Sequence, residues 1–205
     1  MYKLVFILCF LVYTLTADKT ITVKNNCKKV VSSTQFTESD TWGGRVWGRY
    51  QCSGSSSNDA TACGNPGAVN PATLAEFLFK GSNGQDYYDI SLVDGYNLQM
   101  TISPDGGSSS SGYSCGSPQC VTPDCPDEFA VKDGTGNTIA CKSACSATGK
   151  PEDCCTGPYN SPDACKAGAA ANSIKSSCPD AYSFAYDDQT STFSCSATGY
   201  TVTLC

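Results

Sequence analysis

The chain has 205 residues, 15 of them cysteine and none histidine, with 13 basic against 19 acidic side chains for a formal charge of −6. Without histidine there is no Ser-His-Asp or Cys-His catalytic pair, no HExxH zinc site and no imidazole pH switch, so acid–base work falls to carboxylates. An acidic chain without a Lys/Arg cluster is a poor partner for nucleic acid or an anionic membrane, which concentrated positive charge binds, and a neutral or cationic partner is expected.

Residues 1–16 read as a secretory signal peptide: Lys3, an apolar run from Leu4 to Val12, then small and polar residues before Ala17. The run is too short for a membrane span, and no later segment approaches the ~20 apolar residues needed. The mature chain is therefore expected to be secreted, extracellular and monomeric, beginning near Ala17 or Asp18. Cleavage removes Cys9 and leaves fourteen cysteines, an even number that fits seven disulfides and no free thiol. Spacing alone leaves their pairing open. Cys154 and Cys155 are adjacent, with Cα atoms ~3.8 Å apart, so they are expected to bond to different partners. A four-cysteine zinc site is disfavoured in the oxidising secretory route.

Period-two alternation predicts a strand at Thr20–Lys24, followed by strands at Arg45–Tyr50, Thr73–Phe79, Tyr87–Val93 and Leu98–Ile102. Turn residues at 81–85, Asp94-Gly95 and 104–112 separate them. Late strands at Thr192–Ser194 and Tyr200–Leu204 must return to the same sheets. The short, regular spacing predicts a mainly β chain, an antiparallel sandwich or barrel. From Cys115 to Cys178 the chain carries cysteine, proline and serine but no apolar period, so a lobe held by disulfides is expected, with short helices at Cys141–Ala147 and Asp163–Ser177.

Three stretches then become specific. Gly44-Arg45-Val46-Trp47-Gly48-Arg49-Tyr50-Gln51-Cys52, Pro71-Ala72-Thr73-Leu74-Ala75-Glu76-Phe77 and Gln85-Asp86-Tyr87-Tyr88-Asp89-Ile90-Ser91-Leu92-Val93-Asp94-Gly95 resemble the thaumatin-like (pathogenesis-related group 5) family. So do Cys141-Lys142-Ser143-Ala144-Cys145, Cys154-Cys155, Cys178-Pro179 with Ala181-Tyr182, and Tyr186-Asp187-Asp188 with the C-terminal cysteine. The resemblance covers the mature chain in order. It implies a thaumatin-like antiparallel β-sandwich over roughly 17–51, 72–120 and 179–205, a reduced loop subdomain at 52–71, and a disulfide-rich lobe at 121–178. It implies an acidic cleft formed by Arg45, Glu76, Asp89, Asp94 and Asp187, with Asp188 as the alternative to Asp187. It further implies the bridges Cys27–Cys205, Cys52–Cys63, Cys115–Cys195, Cys120–Cys178, Cys125–Cys141, Cys145–Cys154 and Cys155–Cys165.

Two departures from the family pattern matter. An eighth disulfide is missing after Cys63, where Gly64-Asn65-Pro66-Gly67 runs straight towards Pro71. The stretch between Cys27 and Arg45 is short, and the lost part is expected to take with it an early strand or hairpin, uncovering a sheet edge or one side of the core.

For function, several carboxylates in a partly desolvated groove suit glycoside hydrolysis, which needs one protonated and one ionised acid. Glu76 is expected as general acid and Asp94 or Asp89 as nucleophile or general base. Arg45, Asp89 and Asp187 are expected to bind substrate, while Tyr87, Tyr88, Tyr96 or Trp47 offer flat faces to a sugar ring. The resemblance implies binding of β-1,3-glucan or another cell-wall polysaccharide, with weak endo-β-1,3-glucanase activity and an antifungal, defence role. The alternative is a protein-binding inhibitor of a secreted hydrolase, or an effector, acting through the loops at Ser53–Gly67 and Ser108–Tyr113. No cofactor or metal is expected, since no calcium-type loop of spaced acids is present.

Overall fold

A computed structural model describes residues 18–27, 34–48, 71–107 and 112–205. The signal segment and the Cys52–Cys63 bridge lie outside them. Each predicted strand with described residues is present. β1 (Lys19–Asn25), β2 (Thr34–Glu38), β3 (Gly43–Trp47), β4 (Leu74–Leu78), β5 (Asp86–Ser91) and β6 (Met100–Asp105) come first. β7 (Gln119–Cys120), β8 (Ala130–Lys132), β9 (Thr138–Cys141), β10 (Phe193–Cys195) and β11 (Gly199–Leu204) follow.

Two sheets face each other. One runs β2-β1-β11-β6-β7 and the other β10-β5-β4-β3. Alternation sends one side of each strand inward, and the side chains that meet form the core: Ile21, Ile102, Tyr200 and Val202 from the first sheet, Ala75, Phe77, Tyr88 and Ile90 from the second. Phe77, Phe79, Tyr88 and Tyr200 pack ring against ring, with centroids 5.0–5.8 Å apart. The ladders are antiparallel apart from β1 with β11, which run parallel. Chain ends that run in one direction cannot be joined by a hairpin, and here the Cys27–Cys205 bridge ties them. Because that bridge closes almost the whole chain, it restricts the unfolded state strongly, by about 5 kcal/mol in the loop-entropy picture. At the start of β1, Lys19 reaches buried Asp86 at 2.6 Å, and Tyr200 Oη donates to the same carboxylate oxygen at 2.8 Å.

The expected loss of an early strand is corrected. β2 pairs with β1 from Lys19↔Glu38 to Val23↔Thr34 and forms the edge of its sheet. Its sequence, Thr-Gln-Phe-Thr-Glu, carries one apolar residue, which is why alternation did not reveal it. That polarity also makes it a safe edge.

The lobe contains the β8–β9 hairpin and three helices, α1 (Ala144–Thr148), α2 (Pro151–Cys154) and α3 (Ala169–Ser177). The first predicted helix starts three residues late because Cys141 belongs to β9 and Ser143 caps α1, accepting from the Ser146 amide. Cys154 ends α2, and Cys155 takes a left-handed backbone (φ 54°), turning the adjacent cysteines apart to Cys145 and Cys165. Cys115–Cys195, Cys120–Cys178 and Cys125–Cys141 also form as the resemblance implied. Among the described residues no helix is long and apolar enough to cross a membrane.

Candidate functional site

The register of the four-stranded sheet builds the site. Arg45 of β3 lies opposite Glu76 of β4, and Glu76 lies opposite Asp89 of β5. Since Ala75, Phe77, Tyr88 and Ile90 point into the core, these three side chains stand in one row on the outer face. The neighbouring row, Trp47–Leu74–Ser91, contributes Leu74 and Ser91 as floor. A groove of about 310 Å³ sits over them, lined also by Val93, Asp94, Tyr182 and Ala185.

Two anchors place the rim. The Asp94-Gly95 turn closes with the Gly95 amide on Leu92 O at 2.9 Å. Gly95 has φ +94°, and a Cβ there would lie 2.4 Å from Cys141 O, so only glycine fits. Tyr96 and Cys141 exchange backbone hydrogen bonds at 2.8 and 2.9 Å, which pins the turn to β9 of the lobe. On the other side Tyr182 exchanges backbone hydrogen bonds with β5, its amide donating to Ile90 O and its carbonyl accepting from the Leu92 amide. Its hydroxyl donates to Asp188 Oδ1 at 3.0 Å and lies 2.6 Å from the Thr192 hydroxyl.

Charge is unevenly distributed. Arg45 Nε bonds the Glu76 carboxylate at 2.5 Å, and Arg45 Nη1 lies 3.9 Å from Asp94 Oδ2. Among the described residues Asp89 lacks such a partner: its Oδ1 is buried without a hydrogen bond. Burial pushes Asp89 up to about 8, the charges of Glu76 and Asp188 add to the rise, and Arg45 opposes it. At neutral pH Asp89 therefore carries a proton next to an ion-paired glutamate, a division of labour that a pair of acids needs for proton transfer.

Arg45, Glu76, Asp89 and Asp94 are thus brought together. Asp187 is not, and this corrects the expectation. It is only 9% exposed and does not line the groove, accepting from the Ser183 amide and hydroxyl at 3.0 and 2.9 Å and from Thr190 Oγ1 at 2.8 Å, with Lys175 Nζ at 3.1 Å. Burial pushes its pKa up, but these donated bonds outweigh it and hold the carboxyl below its usual range. Lys175 of α3 also donates to Ala181 O, Thr190 O and Ser191 Oγ, so the Lys175–Asp187 pair braces the segment that carries Tyr182 and Asp188. Asp188 is the member of the pair whose charge reaches Asp89.

Tyr88 and Tyr96 are likewise corrected. Tyr88 is 1% exposed, its ring in the core and its hydroxyl on Gly116 O at 2.6 Å; Tyr96 is 4% exposed, with its hydroxyl on Asp124 O at 3.1 Å. Neither offers a face to a ligand. Among the described residues the groove's aromatic side chain is Tyr182, which sits in irregular chain where no period could place it.

The Thaumatin family model matches residues 12–205. Thaumatin-like protein 1 of Pyrus pyrifolia is 40% identical over 85% of this chain and 76% of its own length. Pathogenesis-related protein 5 of Arabidopsis thaliana is 42% identical over 85% of this chain and 75% of its own. A Prunus avium protein named glucan endo-1,3-beta-glucosidase is 40% identical over 94% of this chain and 84% of its own length. With a two-sheet sandwich, a cysteine-bridged lobe and these relatives, the chain belongs to the thaumatin family.

Proposed function

We propose that this is a secreted defence protein that binds β-1,3-glucan in the groove and hydrolyses it slowly. The observation that carries the reading is the row itself: a protonated Asp89 directly across from a Glu76 carboxylate held by Arg45. The name of the Prunus avium relative supplies the substrate class. The two acids then exchange the roles expected from the sequence. Asp89 donates its proton to the glycosidic oxygen as the bond breaks, and the Glu76 carboxylate attacks the anomeric carbon; water releases the sugar while Asp89 takes the proton back. Residues directly opposite on neighbouring strands have Cβ atoms about 4.5–5.5 Å apart, a spacing suited to retaining pairs (~5 Å between carboxyls) rather than inverting ones (~6.5–9.5 Å). Asp94, 3.9 Å from the guanidinium, accepts hydrogen bonds from sugar hydroxyls.

The test is incubation of oxidised, refolded protein with insoluble β-1,3-glucan, measuring protein left in solution and sugar released. The expected result is depletion by the wild type, with release that disappears in Glu76→Gln and Asp89→Asn and whose products keep the β configuration. Depletion without release would leave a glucan-binding protein. The absence of both depletion and release would overturn the reading and turn attention to a protein target.

A further inference from the structure

We propose that the glucan track continues out of the groove onto an apolar shelf formed by Leu78 and Tyr87, which takes the ring face of the next sugar. The inference rests on the glucan reading above and adds a subsite to it. Beyond the Arg45–Glu76–Asp89 row, on the same outer face, the register places Gly43, Leu78 and Tyr87 opposite one another. Two residues along a strand cover about 7 Å, roughly the span of one sugar unit. Val93 and Asp94 line the groove together with the Leu74–Ser91 row, and the Gly43–Leu78–Tyr87 row flanks the charged row on its other side.

The row has the chemistry a sugar ring needs. Leu78 is 52% exposed, although it belongs to a strand whose opposite face fills the core. A Cβ on Gly81 would lie 2.9 Å from Tyr87 Cδ2 and 3.2 Å from Leu78 Cδ2, so both side chains rest against the same glycine and form one surface. Gly43, across from Leu78 on β3, has no side chain to stand over it. The Tyr87 hydroxyl is tied back to Ser82 O at 3.3 Å, which steadies the ring. A pyranose presents polar hydroxyls around its edge and C–H groups on its faces. Carboxylates in one row and a bare apolar shelf in the next match those two surfaces in turn. An isolated exposed leucine would need no explanation; one continuous with a polar groove on the same sheet face does.

The test is calorimetric titration with β-1,3-linked oligosaccharides from the disaccharide to the hexasaccharide, on wild type, Leu78→Ser, Leu78→Phe and Glu76→Gln. Leu78 is half exposed, so its substitutions leave the fold intact. Wild-type affinity is expected to rise with length. Leu78→Ser is expected to bind the disaccharide normally and to lose about tenfold on the hexasaccharide, equivalent to about 1.4 kcal/mol, while Leu78→Phe keeps the rise. If Leu78→Ser keeps the full length dependence while Glu76→Gln loses binding at every length, the groove stands and the shelf is overturned. If Glu76→Gln binds every length like the wild type, the groove reading itself fails and the shelf with it. A Leu78→Ser variant altered only in sedimentation, with titrations unchanged, overturns the shelf and gives this face to a second copy of the chain.

Discussion

The floor and the rim of the groove are held by different forces. The floor belongs to the sandwich, where Glu76 and Asp89 are fixed by strand register and by the apolar side chains on the reverse of the same strands. The rim depends on the lobe: the Asp94-Gly95 turn hangs on Cys141, and the Tyr182 segment is braced by Lys175 of α3. The lobe buries few large apolar side chains, Ile174 being the main one, and is instead stapled by Cys125–Cys141, Cys145–Cys154 and Cys155–Cys165. A rigid row of charges therefore faces a border whose position is set by covalent bridges and one ion pair.

The largest break in this comparison comes from removing the Cys125–Cys141 bridge as a Cys125→Ala/Cys141→Ala pair. A loop of that length is worth about 3 kcal/mol. Amide exchange is expected to speed up in β8, β9 and the Asp94 turn while β1, β6 and β11 stay protected; uniform acceleration would show that the two regions share one stability.

Next is Lys175→Met, which leaves Asp187 with its hydroxyl and amide donors but without its cation. The pair is partly exposed, so the cost is about 2 kcal/mol, below the ~3–5 of a fully buried one. Urea unfolding measures it. Asp187 is held below its ordinary pKa, so its contribution is present above about pH 4 and fades as the pH falls through its lowered value. The Lys175 effect is expected to shrink in acid accordingly.

A third effect has the opposite sign. Asp89 is raised to about 8, so the folded protein keeps a proton the unfolded chain releases near pH 4. Ionisation of Asp89 in the unfolded chain therefore favours unfolding progressively between those values. Asp89→Asn is expected to match the wild-type melting temperature at pH 3 and to exceed it at pH 7. A variant less stable at pH 7 would contradict this.

Much of the floor was legible in the sequence, because alternation in Leu74-Ala75-Glu76-Phe77-Leu78 already sets Glu76 opposite Phe77. The same rule, carried into β5, puts Asp89 outward and Tyr88 inward, so the misplaced tyrosine was readable from its own neighbours. Tyr96 was not readable in this way, since Gly95 with its positive φ breaks the parity before it. Register is a pairing between distant segments, and no local pattern told which residue of β3 meets Glu76. The rim was least legible. Asp187 and Asp188 are neighbours of identical chemistry, and what separates them is a lysine in α3 that alternation cannot connect to them. The β8–β9 hairpin was not predicted, because its strands are too short to show a period.

In the proposed function Asp89 holds a proton beside Glu76 and meets the sugar. Carbon-13 NMR of the Asp89 side-chain carboxyl, titrated over pH with and without a β-1,3-linked oligosaccharide, tests it most directly. The expected result is a midpoint near 8, absent in Asp89→Asn, and a resonance displaced by the oligosaccharide. A midpoint near 4 with no response to the sugar would contradict it.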